Sequence, residues 1–179
     1  QSKDHASFVG MFTSVQGADH ATIAYTLGIA TPFGDSSVVD SGLVDSATGL
    51  EVVLVLTPAG VVEGHVGTAA GATVFTLTVD AATSEVTLTQ LRSVHENTAD
   101  NPTDSSEGIS LNHIANLVTL TATITDHDGD SASASIDLGA HVTFHDDGPS
   151  IVASEGKAPS LNVDESFLTA ATNGVDGTT

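Results

Sequence analysis

The run Asp126-His127-Asp128-Gly129-Asp130 places three carboxylates at every second position around a glycine. Oxygen donors in this spacing can wrap one hard cation. Calcium takes about six to eight such ligands at roughly 2.3–2.6 Å, and the glycine allows the backbone to turn sharply between them. The competing reading is a solvated hairpin turn, because Asp and Gly are turn residues in their own right. The run is not an EF-hand. Counting from Asp126, Asp137 stands where the bidentate glutamate of such a loop belongs, and no helices are predicted on either side. A second acidic group follows in His145-Asp146-Asp147-Gly148-Pro149, and a third in Asp164-Glu165. Adjacent carboxylates repel unless a cation or hydrogen-bond donors compensate. Asp146, Asp147, Asp164 and Glu165 are therefore further candidate calcium ligands, at the edges where two successive domains would meet. Asp19 and Asp45 are weaker candidates.

Other chemistries find less support. The eight histidines, at 5, 20, 65, 95, 113, 127, 141 and 145, form no helical metal-binding pair. His141 and His145 on one strand face would stand about 13 Å apart, too far for one ion. They read as scattered surface histidines. There is no GxSxG elbow, no phosphate-binding loop and no GxGxxG after a strand. Carboxylate pairs could serve glycoside hydrolysis, but aromatic residues, which would form sugar platforms, make up only 4% of the chain. The chain is not expected to be an enzyme.

Charge narrows the partners. Across 179 residues, 23 acidic side chains face 3 basic ones, a formal charge of −20. Three scattered cations cannot displace the counterions of a nucleic acid, and an anionic membrane surface would repel the chain. No apolar run approaches the ~20 residues of a membrane span. Cysteine is absent, which excludes disulfides and thiolate metal sites. An acidic, cysteine-free chain rich in Thr, Asp and Gly suits a secreted bacterial protein. No signal peptide opens it, so export would use another route or a segment since removed.

The elements that would position these groups are strands. Alternation of period two marks residues 23–29, 73–79, 85–89, 117–125, 131–138 and 141–145, each burying one face and wetting the other. Residues 51–57 are apolar on both faces and predict a central strand covered on both sides, with 61–66 as its hairpin partner. Residues 8–15 are another strand candidate. Residues 112–116 and 164–169 could each form one helical turn. Residues 31–49 and 96–108 read as loops, and the acidic second loop is long enough to be functional. The fold class is therefore all-β: an antiparallel β-sandwich with hairpin and Greek-key connections and long acidic loops. Residues 1–150 would form the sandwich. Residues 151–179 would be a linker and the start of a further unit, or a strand packing back onto the same sandwich.

Residues 117–151, LVTLTATITDHDGDSASASIDLGAHVTFHDDGPSI, resemble a repeat domain of giant repeats-in-toxin (RTX) adhesins exported by type I secretion from Gram-negative bacteria. The TxTDxDGD turn, the ASIDLG strand and the DDGPSI exit carry the likeness. Residues 12–19, 41–49, 74–90 and 161–166 (LNVDES) extend it over nearly the whole chain. LNVDES resembles the opening of the family unit, yet here it comes last, as in one period cut from a tandem array or a domain split by an inserted module. The resemblance implies an extracellular, calcium-dependent structural module of a bacterial surface adhesin. Such a module supports attachment and biofilm formation, and its partners are neighbouring repeat domains. The alternative is a tip module that binds a sugar or peptide on a host or microbial surface through residues 31–49 or 96–108. The resemblance places calcium on Asp126, Asp128 and Asp130, then on Asp146, Asp147, Asp164 and Glu165. His127 departs from the small or acidic residue usual between the aspartates.

Overall fold

A computed structural model of the chain describes residues 1–15, 20–31, 38–95 and 108–145. Every regular element of more than three residues in them is a strand: β1 (Ser2–Ser7), β2 (Ala21–Ile29), β3 (Val39–Asp45), β4 (Glu51–Leu56), β5 (Val62–Val66), β6 (Thr73–Val79), β7 (Glu85–Gln90), β8 (Val94–His95), β9 (Gly108–Ser110), β10 (Val118–Asp126), β11 (Ser131–Asp137) and β12 (Thr143–His145). Single 3-10 turns occupy Val9–Met11 and Gly139–His141.

All pairing among these strands is antiparallel. Strands β3 to β7 form a meander, extended by β8 beside β3 and by β1 beside β7, to give a sheet ordered β1-β7-β6-β5-β4-β3-β8. The antiparallel sheets curl into a half-barrel. A three-stranded sheet ordered β11-β10-β2 faces the large one, with β2 crossing β4, β5 and β6, and β9 and β12 form a two-stranded sheet. The all-β antiparallel architecture read from the sequence is the one observed.

Between the layers lies one core. It holds Leu43, Val52, Leu54, Val62, Val74, Phe75, Leu77, Leu117, Leu120, Leu138 and Phe144, each nearly or fully buried. Phe75 of β6 and Phe144 of β12 join the large sheet to the two-stranded one, their ring centroids 5.0 Å apart at 54°, in the tilted geometry aromatic pairs prefer. Gly64 makes this possible. A Cβ there would stand 2.3 Å from the Phe75 ring, so the ring lies directly over the β5 backbone.

Three sequence readings need correction. Residues 8–15 are not a strand: Val9–Met11 is a 3-10 turn, and the strand lies just before it, in β1. Every residue of β1 is exposed, so no burial pattern marks it and only backbone pairing with β7 holds it. Residues 31–49 are not one loop, because 39–45 form β3. Its inward positions are Val39, Ser41, Leu43 and Asp45, and the two buried polar residues hide the alternation. Residues 112–116 make turns rather than a helix, with Asn116 at φ 57°. The expectation for β4 holds in part. Val52 and Leu54 are fully buried and Val53 nearly so, whereas Leu56 is exposed. Val53 sits opposite His65, whose Nδ1 meets the Gly71 carbonyl oxygen at 2.9 Å. The 67–71 turn thus folds over the outward face of the sheet at this point.

Crowding a methyl group under the central ring should be felt directly. Gly64→Ala is expected to destabilise the fold by about 2 kcal/mol in denaturant unfolding, the usual cost of overpacking. Adding Phe75→Leu should return part of that loss. A neutral Gly64→Ala would contradict the packing described.

Candidate metal centre

The β10–β11 hairpin delivers the Asp126–Asp130 turn. β10 is clamped on both sides, by β2 from Val118 to Asp126 and by β11 from Thr119 to Thr125. Its inward residues, Val118, Leu120 and Ala122, are buried. Its outward threonines join serines of β11, Thr121 to Ser135 at 2.7 Å and Thr123 to Ser133 at 2.8 Å. The hairpin is thus held by core packing along β10 as far as Ala122 and by hydroxyl pairs on its outward face. Contrary to the sequence expectation that 131–138 bury one face, β11 is exposed on both faces from Ser131 to Ser135, because the small Ala132 and Ala134 leave that end of the hairpin uncovered.

The turn closes on Asp126. Its N–H donates to the Asp130 carbonyl at 3.0 Å. Its Oδ1 accepts the N–H groups of Asp130 at 2.9 Å and Gly129 at 3.1 Å. Gly129 takes φ 99°, a region that L side chains rarely adopt. Asp126 is half-buried, while Asp128 and Asp130 are exposed. One ligand oxygen or more from each of the three lies within 4.8 Å of the others. Two ligands on opposite sides of one calcium ion stand about 4.8 Å apart, twice a typical bond, so the three carboxylates fit around a single ion of that size. All are hard oxygen donors, and they bring one more negative charge than a divalent cation cancels. Hydrogen bonds hold the Asp126 carboxyl below its usual range, first that with the Asp128 carboxyl and then those from the N–H groups of Asp130, Gly129 and Asp128; partial burial opposes them. The triad can therefore hold a metal ion, as the sequence reading of Asp126, Asp128 and Asp130 supposed.

Asp45 proves to have another task. Its side chain is fully buried, and Arg92 grips it with two bonds, Nε to Oδ1 at 2.7 Å and Nη2 to Oδ2 at 2.9 Å. The Thr48 N–H and hydroxyl also donate to Oδ2, at 3.0 and 2.7 Å. Its carboxyl is held at about 2 against a usual 3.8, chiefly by the Arg92 hydrogen bonds; burial opposes, and Thr48 assists. With its oxygens so engaged, Asp45 is a structural ion-pair partner and not a metal ligand. Sequence reasoning missed this pair, whose partners lie 47 residues apart. The one available signal was the scarcity of cations.

The histidines divide as well. His65 is not a surface residue: it is 9% exposed and lies between the Gly71 carbonyl and Glu63 Oε2, the latter at 2.9 Å from Nε2. His141 lies in a 3-10 turn and not on a strand with His145, and its ring meets Phe8 edge-on at 5.9 Å. Among the described residues, the only group of three or more acidic, histidine or cysteine side chains converging closely enough for one metal is the aspartate triad. Asp19, Asp146, Asp147, Asp164 and Glu165 lie outside the described residues, as do 32–37 of the first loop segment and 96–107 of the second.

Residues 1–139 match the family described as a domain of unknown function (DUF5801). The chain belongs to this family. The DUF5801 match takes in the β10–β11 hairpin and its turn, while Asp146, Asp147, Asp164 and Glu165 fall beyond it. No curated protein and no solved structure shows significant similarity to the chain.

Asp45 supplies a pH dependence whose sign follows from its lowered pKa. Its stabilising effect is complete above the unfolded value near 4 and is lost as pH falls from there towards 2. Acid unfolding should show this loss in wild type and lack it in Asp45→Ala. That variant should cost about 3 kcal/mol at neutral pH, since Arg92 loses its buried partner. The cost should be the same in calcium and in chelator, and a calcium-dependent cost would return Asp45 to the list of ligands.

Proposed function

We propose that this DUF5801 domain is a calcium-stabilised structural module of a large extracellular bacterial adhesin, without catalytic activity. In this role it spaces or supports neighbouring domains of the same chain for cell attachment and biofilm formation. The convergence of the Asp126, Asp128 and Asp130 carboxylates in one turn carries the reading. The resemblance of residues 117–151 to RTX adhesin repeats supports it, as does a net charge of −20. Among the described residues no helix is long and apolar enough to cross a membrane, which accords with a role outside one.

The mechanism is electrostatic. The hairpin register forces three carboxylates together, and their repulsion opposes the closed turn. Neither the Arg92–Asp45 pair nor the His65–Glu63 pair reaches it. A divalent cation removes the repulsion and fixes the bend. The Asp128 and Asp130 side chains, main-chain carbonyls and water would share the coordination with Asp126. Extracellular modules hold calcium at Kd values of roughly 10⁻⁴ to 10⁻³ M, so the site would fill on export. A ligand that binds only the folded state stabilises it by about 2.7 kcal/mol at a hundredfold excess over Kd.

Thermal unfolding in calcium and in excess chelator tests this. Calcium should raise the Tm by roughly 8 °C at such an excess, taking a few degrees per kcal/mol for a domain of this size. Asp128→Ser should shrink that increment and raise the Tm in chelator slightly, because it removes a ligand and one of the repelling charges while Asp126 still accepts the N–H groups that close the turn. Identical melts with and without calcium would refute the proposal.

A further inference from the structure

Within the same turn, Asp128 is followed directly by Gly129. An aspartate carboxyl carbon can be attacked by the backbone nitrogen of the next residue, closing a five-membered ring. The reaction is ordinarily slow because the following side chain shields that nitrogen. Here the following residue has no side chain, and apart from its two chain neighbours nothing lies within 4 Å of the place where its Cβ would be. Asp128 is exposed. What holds the nitrogen back is Asp126. The Gly129 N–H donates to its Oδ1 at 3.1 Å and to its carbonyl oxygen at 3.4 Å.

We propose that Asp128–Gly129 is a site of spontaneous backbone isomerisation, and that the Asp126 carboxylate restrains it. A proton from solvent first converts the Asp128 carboxylate to the acid. The Gly129 nitrogen then bonds to its Cγ, and the acid's hydroxyl leaves with the amide proton as water, giving a succinimide; the solvent proton is returned when the carboxyl is regenerated. Water then adds to one of the two imide carbonyls. Breaking the bond from nitrogen to Cγ restores aspartate. Breaking the bond from nitrogen to the main-chain carbonyl carbon leaves isoaspartate, with the backbone rerouted through Cβ. No oxidant, enzyme or other co-reactant is required, and the two steps together are neutral in atoms. The product carries an extra main-chain carbon inside a turn closed by the pairing of Asp126 with Asp130, so the register that gathers the three carboxylates is lost. The chemistry needs no metal. Its reversal of cation binding, and protection by calcium, rest on the function proposed above.

The full chain is held for several weeks at physiological pH and temperature, and isoaspartate is located by electron-transfer fragmentation mass spectrometry. Wild type, Asp126→Ala and Asp128→Glu are compared, each in chelator and in calcium. Asp126→Ala keeps the backbone bonds of the turn and removes the side-chain acceptor, and its rate at position 128 should rise about fivefold, the worth of one hydrogen bond. Asp128→Glu, which would need a six-membered ring, should form none. No isoaspartate at 128 in either wild type or Asp126→Ala, or equal rates in the two, would overturn the proposal. Faster reaction in Asp126→Ala with no effect of calcium on wild type supports the isomerisation site and contradicts the calcium reading instead. The Asp147–Gly148 and Asp176–Gly177 steps, outside the described residues, are read in the same spectra and kept apart by position.

Discussion

The structure depends on how tightly β10 is held between β2 and β11. An antiparallel ladder on each side allows β10 a single register, because a slip of one residue would carry Leu120 and Ala122 to the solvent face and their threonine neighbours into the core. Once that register is set, the hairpin must turn at 126–130, and the turn must bring its aspartates together. The acidic cluster thus follows from the register that the core fixes along β10 as far as Ala122. A free loop with the same residues could relax by spreading its charges; this one is tied at both ends.

Two ways of handling negative charge appear in one domain. Asp45 is fully buried and completely satisfied, by a guanidinium and two groups of Thr48. Removing a carboxylate from water is tolerable only with such a set of donors, and one of the chain's three basic residues is committed to it. At the turn, Asp128 and Asp130 are exposed instead and Asp126 is half-buried, and backbone N–H groups serve only Asp126. In a chain so poor in cations, a mobile divalent ion is the physically natural counter-charge, and one that comes and goes makes rigidity depend on the surroundings. Export into calcium-rich fluid would then coincide with stiffening.

Much of this was legible in the sequence, for a definable reason. Where apolar residues alternate with Ser or Thr, as in β10 and β11, the pattern shows both the strands and the turn between them, although only in β10 are the apolar positions buried. β3 escaped because Ser41 and Asp45 occupy inward positions, each satisfied by partners that no local pattern reveals: Ser41 by the Val52 carbonyl, Asp45 by Arg92. β1 escaped because a wholly exposed edge strand has no inward face to betray it. The aspartate triad was readable because its members are neighbours in the chain. The Asp45–Arg92 pair and the burial of His65 were not, since both are consequences of long-range strand order.

Whether the hairpin register builds a cation site at 126–130 is decided by a crystal structure determined in abundant calcium. The expected result is an anomalous-scattering peak bonded to carboxylate oxygens of Asp126, Asp128 and Asp130 at calcium distances. Ordered water alone beside those three side chains would contradict it.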